Sequence, residues 1–533
     1  MLWQRTLRRG FWRNTPWQSR AHRAWFRTCA VCLSLYAAYV TFLAQSPLLT
    51  SAAATVCALL FYLLYAAALY GLLLFVCVRL PAPRMAATPM PRGHMWLWSV
   101  GITLCILVPA FFAAYPGGVS YDAANQWQQA HTGEFNNWHP LFHTLLIWMA
   151  TRIWDSYPFV VCLQILAFAA AMGYLSQTLN RHGVPAWLAL TAQALATASP
   201  LVKSTLMGVC KDNAMCIGVL VLAAQSINLL YTKGAWLARA RNAVAFGLML
   251  AFVTLVRHNA LLYTLPLLAC VLATVHGHGR RKALVCGVLA ACVLGVQGPL
   301  YGALDVVYPS NTLEEAVGIP MTILCNQKQD DPALLSAETN AFLDTLADAE
   351  AWQTVYQRDR YNSIKFTYPR ELIAKLPPEQ LLRMTLDTVR ANPRGAFDTV
   401  NAVTDLVWGV SGGEAVDTVH NSGDLEEARY GVAWLNRLGD ALCQLIDVPM
   451  SIAPIAWLTR NLGVAQLALL VLALWALRRL GVRALALAVP ALLYNLGTML
   501  LLCGADARFF QFSMAVCLPS MLALLYAPTA REL

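Results

Sequence analysis

Charge is what this chain has least of: 12% of its 533 residues are Asp, Glu, Lys or Arg, about half the ~25% of an ordinary soluble domain. That scarcity excludes a typical soluble enzyme. An apolar content of 58% and a mean hydropathy of +0.52 exclude a disordered or fibrous chain. There is no Gly-rich phosphate loop, no His cluster at zinc spacing and no internal repeat, so nucleotide and structural-zinc chemistry have no full motif to stand on. The 15 Cys are not a disulfide framework either. Most lie inside apolar runs, where a thiol is a small hydrophobe. Cys325 and Cys443 stand apart in a polar stretch, where pairing stays open.

What the chain does have is apolar runs of ~18–25 residues, the length a helix needs to cross a bilayer. The fold class this implies is α: a polytopic helical membrane protein of about 12 transmembrane helices, near 29–46, 52–78, 96–115, 157–178, 185–199, 212–231, 243–256, 260–276, 283–303, 461–477, 484–502 and 511–527.

The formal charge of +10 is two opposed quantities. Residues 304–450 hold 22 of the 28 acids and 11 of the 38 bases, a local net of −11; the rest of the chain carries +21. The expected organisation is a basic, aromatic cytoplasmic segment at 1–28, a membrane domain at 29–303, an acidic, mostly helical extracytoplasmic domain at 304–450 and a second membrane domain at 451–533. Lys and Arg near span ends set orientation. Seven Arg before the first span, with Trp3, Trp12, Trp17 and Trp25, read as a segment lying on an anionic inner leaflet rather than as a signal peptide. Counting onward puts Arg79, Arg84, Arg92, Arg181, Lys233, Arg239, Arg241, Arg280, Arg281, Lys282, Arg478, Arg479, Arg483 and Arg531 inside. The expected location is a bacterial plasma membrane, with both termini cytoplasmic. Asp122, Glu134, Asp155, Asp212 and Asp506 then all fall outside. Acidity of the outer insert speaks against nucleic acid as a partner.

The first large outer loop, 116–156, concentrates the chemistry. Pro116-Gly117-Gly118 stops the preceding helix, Ser120 precedes a helical turn that holds Asp122, and Asn125, Gln126 and Gln129 follow at spacings that share the Asp122 face. Trp138-His139-Pro140 restarts the chain, and 141–154 reads as a short amphipathic interfacial helix. A carboxylate set among amides and aromatics can serve as a general base toward a hydroxyl or help hold a divalent cation. It can equally be a helix-start acid on a surface loop.

The string PGGVSYDAANQWQQAHTGEFNNWHP resembles the GT-C class of membrane glycosyltransferases, and more closely a group of multi-spanning bacterial proteins, common in Gram-positives, classed as GT-C-like. The resemblance implies an enzyme that takes a sugar from a polyprenyl-phosphate carrier and passes it to an envelope glycan or protein acceptor at the extracytoplasmic face. It makes Asp122 the catalytic carboxylate; with it, position on the loop and at outer span ends gives an expected substrate-binding set of Gln126, Gln129, His139, Lys203, Lys211, Asp212, Arg257, Asn259, Asp506 and Arg508. A late Arg-aromatic motif would hold the lipid phosphate; here Phe509 stands where Tyr is more usual. Arg supplies a bidentate fork for such a group, although each outer base alone also fits snorkelling toward headgroups. A divalent cation (Mg or Mn) is the possible cofactor, with no Asp-x-Asp pair in the loop to demand it. The competing expectation is a transporter or flippase of a lipid-linked sugar or envelope precursor; acids are absent from span interiors, where a carrier would place them. A non-catalytic envelope anchor is the third.

Overall fold

Long runs of Leu, Ala and Val leave the backbone no polar partner in lipid, so it must satisfy its own hydrogen bonds as helix. The computed structural model describes residues 20–45, 51–79, 83, 89–309, 313–369, 371–410 and 433–527. Among them every regular element is a helix, with three isolated β-bridges besides. Most of the 1–28 segment, Arg84 and Arg531 lie outside the described residues. Among the described residues seven helices are long and apolar enough to cross a membrane: Ala53–Cys77, Gly93–Ala114, Tyr157–Arg181, Lys211–Tyr231, Gly279–Ala303, Leu462–Leu487 and Ala507–Leu525. The bent pair Ala433–Met450 and Ala453–Arg460 makes eight if it is one span. The chain is a multi-pass helical membrane protein.

The first expected span falls on Arg20–Thr41, which is not among the seven, and four others are shorter helices. Ala186–Ala198, Ala240–Val256, Leu261–Thr274 and Val489–Met499 have 13, 17, 14 and 11 residues. At ~1.5 Å rise per residue they reach ~16–26 Å, short of a ~30 Å hydrocarbon core. Hydropathy sums apolar residues and does not register that Pro185 and Arg257 stop two of these helices.

Successive helices alternate between two ends of the bundle. At the basic end, His182 bonds Asn228 at 3.0 Å, Arg483 donates to Thr274 O at 2.9 Å and Arg479 donates to Ala527 O at 3.0 Å. At the opposite end, Tyr157, Gly208, Arg257 and Arg508 meet the loop that carries Asp122. The short helices matter here. Gln193 donates to Ser99 O at 2.8 Å, near the basic end of Arg92–Ala114, so Ala186–Ala198 runs out beside Ile106, which shares a buried cluster with Ala198 and Met450. Ile106 lies eight residues, ~12 Å, below Ala114. The space above is filled by Pro200–Thr205 and the turn before Lys211, whose Leu201, Val202, Leu206 and Met207 are buried.

The 304–410 part of the insert folds around Met321, Leu324, Trp352, Tyr361, Ile364 and Met384 and rests on the bundle where Asn362 N donates to Cys503 O at 2.9 Å. Cys325 and Cys443 are both free thiols. Ala433–Met450, at the end of the expected insert, runs along the membrane helix Arg92–Ala114 instead. Asn436 Nδ2 reaches Phe112 O, Ala113 O and Tyr115 O at 3.0–3.3 Å, and Trp434, Leu438, Leu445 and Val448 stay exposed as an apolar stripe. That stripe suits lipid better than water.

Candidate functional site

The loop is shaped by local chemistry. Gly117 has φ +125°, and a Cβ there would lie 2.9 Å from Val161 and 3.0 Å from Met207 O, so only glycine lets the loop press into this groove. Gly118 N then donates to Met207 O at 2.9 Å. Tyr157 clasps both strands of chain: its hydroxyl donates to Gly118 O at 2.6 Å and accepts from Val209 N at 3.1 Å. Gln164 reaches Leu206 O and Gly208 O, and Asn213 reaches Thr205 O and Gly208 O. These bonds bring the start of Tyr121–Thr132, where Ser120 Oγ accepts from Ala123 N, against the start of Lys211–Tyr231.

The result is a charged cluster drawn from four separate segments. Lys211 Nζ lies 2.6 Å from Asp122 Oδ2, and Arg508 Nη2 lies 3.2 Å from the same oxygen. His139 Nε2 lies 3.7 Å from Asp122 Oδ1, and its Nδ1 lies 3.3 Å from Lys211 Nζ. Asp506 braces Arg508 from behind: Oδ2 accepts from Nε at 2.7 Å while Oδ1 caps Arg508 N at 3.1 Å.

A second, deeper pair adjoins it. Arg257 and Asp212 are bonded, with side chains 6% and 3% exposed, and Cys210 Sγ donates to Asp212 at 3.0 Å. Arg257 Nε also donates to Asn259 Oδ1 at 2.8 Å, and Asn259 Nδ2 to Thr498 at 2.8 Å. Phe509 joins the two sets. Its ring centroid lies 4.5 Å from the Arg257 guanidinium and 5.3 Å from that of Arg508, each within cation–π range.

The electrostatics follow. Burial alone would raise the Asp122 carboxyl, but Lys211 foremost, then Arg508 and His139, hold it well below the usual carboxylate range. His139 is pushed down to about 3, by burial first and by Lys211 next, with Asp122 pulling the other way. The cluster therefore rests as a carboxylate between two cations and a neutral imidazole. Both Asp122 oxygens face protein partners, and no group of three His, Cys, Asp or Glu side chains converges among the described residues. Two cations on the Asp122 carboxylate make the cluster a poor holder of a divalent cation.

The eleven expected residues thus divide. Asp122, His139, Lys211, Asp506 and Arg508 converge, and Asp212, Arg257 and Asn259 form the adjoining shell. Gln126 and Gln129 turn away: Gln126 donates to Thr144 at 3.0 Å and meets His143 at 3.1 Å, while Gln129 pairs with Asn125 and Asn136 N. They pin one loop helix to the next stretch of chain. Lys203 is engaged elsewhere, 2.5 Å from Asp447. Sequence reasoning missed Tyr157, Gln164, Asn213 and the part played by the Phe509 ring; no spacing marks them, since each acts through a partner distant in the chain.

No protein-family model, curated protein or solved structure matches the chain.

Proposed function

We propose that the chain is a glycosyltransferase of the GT-C type, moving a sugar from a polyprenyl-phosphate carrier to an envelope acceptor. The basic end would face the cytoplasm and the Asp122 end the outside, with the long helices crossing and the four short ones leaving the site recessed within reach of a lipid phosphate. One observation carries the reading: Asp122 meets two cations and an imidazole, from four segments, in a recess at one end of a membrane bundle.

Lys211 and Arg508 are placed to hold the phosphate of the carrier. As the acceptor oxygen bonds to the anomeric carbon, the bond from that carbon to the phosphate oxygen breaks and the phosphate leaves with the electron pair. Charge on the phosphate grows at that moment, so these cations favour the transition state over the ground state. Asp122 takes the acceptor proton. In the resting cluster it is a poor base, because both cations depress its basicity. A phosphate that draws Lys211 and Arg508 toward itself returns Asp122 to an ordinary carboxylate, and the base is armed only when donor is present.

The test is sugar transfer from a radiolabelled polyprenyl-phosphate hexose in membranes containing the full chain. Asp122→Asn should reduce transfer by about 10²-fold or more, the lower end for a lost general base. Undiminished transfer at equal expression would sink the assignment, and counterflow of the lipid-linked sugar without covalent product would favour a carrier.

A further inference from the structure

The loop that leads to Arg508 belongs to two cores at once. Between Val489–Met499 and the short turn Ala507–Phe510 the chain forms no regular helix. Leu502 is buried with the membrane bundle, and so are Ala507 and Phe510. Cys503 is not. Its side chain, 6% exposed, is buried with Met321, Tyr361, Ile364 and Tyr368 of the insert. One residue of the bundle's own loop thus plugs the core of the insert.

The seat around that plug fits closely. Asn362 N donates to Cys503 O at 2.9 Å, and the Cys503 thiol lies 3.9 Å from both Glu314 O and Glu315 O. Gly318, the first residue of Gly318–Asp330, backs directly onto the loop. A Cβ there would overlap Leu502 O and stand 2.8 Å from Cys503 N. Arg360 covers Gly504, where an added Cβ would meet its Cγ at 3.5 Å. Beside the plug, the Lys365 ammonium is bonded to Glu315 on a side chain only 2% exposed. A charge buried that deeply depends on its partner, so the seat resists opening.

Three residue steps lead from Cys503 to Asp506, a reach of at most ~10 Å. Asp506 caps Arg508 N at 3.1 Å and accepts from its Nε at 2.7 Å, and Arg508 then meets Asp122 at 3.2 Å. We propose that the insert, through Gly318 and Cys503, positions Arg508 and so sets how tightly the charged cluster holds a phosphate. The inference rests on the reading of that cluster as a polyprenyl-phosphate site. Gly318 and Cys503 are positioning residues that act through Asp506 and Arg508. The acidic insert, whose own charge repels anions, thereby takes part in the anion site by geometry alone. The rival arrangement is that Ala507 and Phe510, buried in the bundle, fix Arg508 without the insert.

A double-mutant cycle separates the two. The probe is short-chain polyprenyl phosphate, bound to the purified full chain in detergent. Gly318→Ala, which wedges the insert off the loop, should weaken binding by about three- to tenfold, the span of substitutions that act on a site without touching its ligand. That loss should vanish in an Arg508→Gln background and persist in Lys211→Gln. Should Gly318→Ala fail to fold, Cys503→Ala, which removes only a thiol, runs the same cycle and should move affinity in the same direction. No loss, or a loss of equal size in Arg508→Gln, overturns the coupling and leaves the phosphate site standing. Wild type that binds no probe, or Arg508→Gln that binds as well as wild type, overturns the phosphate site and the coupling with it.

Discussion

The insert and the helix-end site carry the same ion-pair chemistry in opposite surroundings. On the insert, Arg394–Asp398 at 2.7 Å and Arg390–Asp387 at 2.9 Å bridge neighbouring turns of exposed helices. In the recess, Lys211–Asp122 is formed at 2.6 Å and Arg257–Asp212 is almost wholly buried. Contact distance hardly separates the two groups; access to water does. Exposed pairs exchange one good solvation for another. Buried pairs have given up hydration, so each member depends on its partner and losing one leaves a stranded charge. The insert's charges keep it soluble, and the recess holds charge ready to be redirected.

The largest effect should come from stranding Arg257. Asp212→Ala should lower stability by about 3–5 kcal/mol, read as a collapse of the thermal transition in detergent, whereas Asp212→Leu with Arg257→Met should recover much of it. If the single and double variants melt alike, the pair is not the buried unit described here. Acid should act next. The folded His139 pKa of about 3 lies below its ordinary 6.5, so unfolded chains bind the extra proton and stability falls as pH drops from 6.5 toward 3, by at most ~1.4 kcal/mol per pH unit. Asp122, also depressed, adds a loss only below the ordinary carboxylate range. Melting followed from pH 8 to 5 should stay flat and then descend below about 6.5; His139→Gln should lessen that descent without abolishing it, because burial pushes His143 down to about 3 as well. An unaltered slope would place the titration elsewhere. The smallest effect is the control: Arg394→Ala on the insert should shift stability by no more than about 0.5 kcal/mol. A shift as large as that of Asp212→Ala would break the contrast.

What was legible in the sequence was local. Pro116-Gly117-Gly118, Ser120, Gly133 and Pro140 punctuate the loop, and helices Tyr121–Thr132 and Leu141–Ile153 stand between those signals. That Asp122, Lys211 and Arg508 share one end of the bundle was legible as well, because counting bases sorts the loops into two sets. Their contact was not: it depends on Tyr157 clasping Gly118 to Val209 across unrelated segments. Gln126 and Gln129 sit at helical spacing from Asp122, but spacing does not say what packs against a helix, and Thr144, His143 and Asn136 N claimed them. Helix length was the other blind spot. Ala186–Ala198 and Val489–Met499 are apolar enough to suggest crossings yet too short to complete them, and that shortness makes the recess.

The central claim is that Asp122 and a ligand phosphate compete for the same two cations, and affinity for bare polyprenyl phosphate tests it most directly. Asp122→Asn removes the resident competitor from Lys211 and Arg508. It should bind the carrier about tenfold more tightly than wild type, the equivalent of ~1.4 kcal/mol, even as sugar transfer is lost. Carrier binding that is unchanged or weaker in Asp122→Asn would contradict the account.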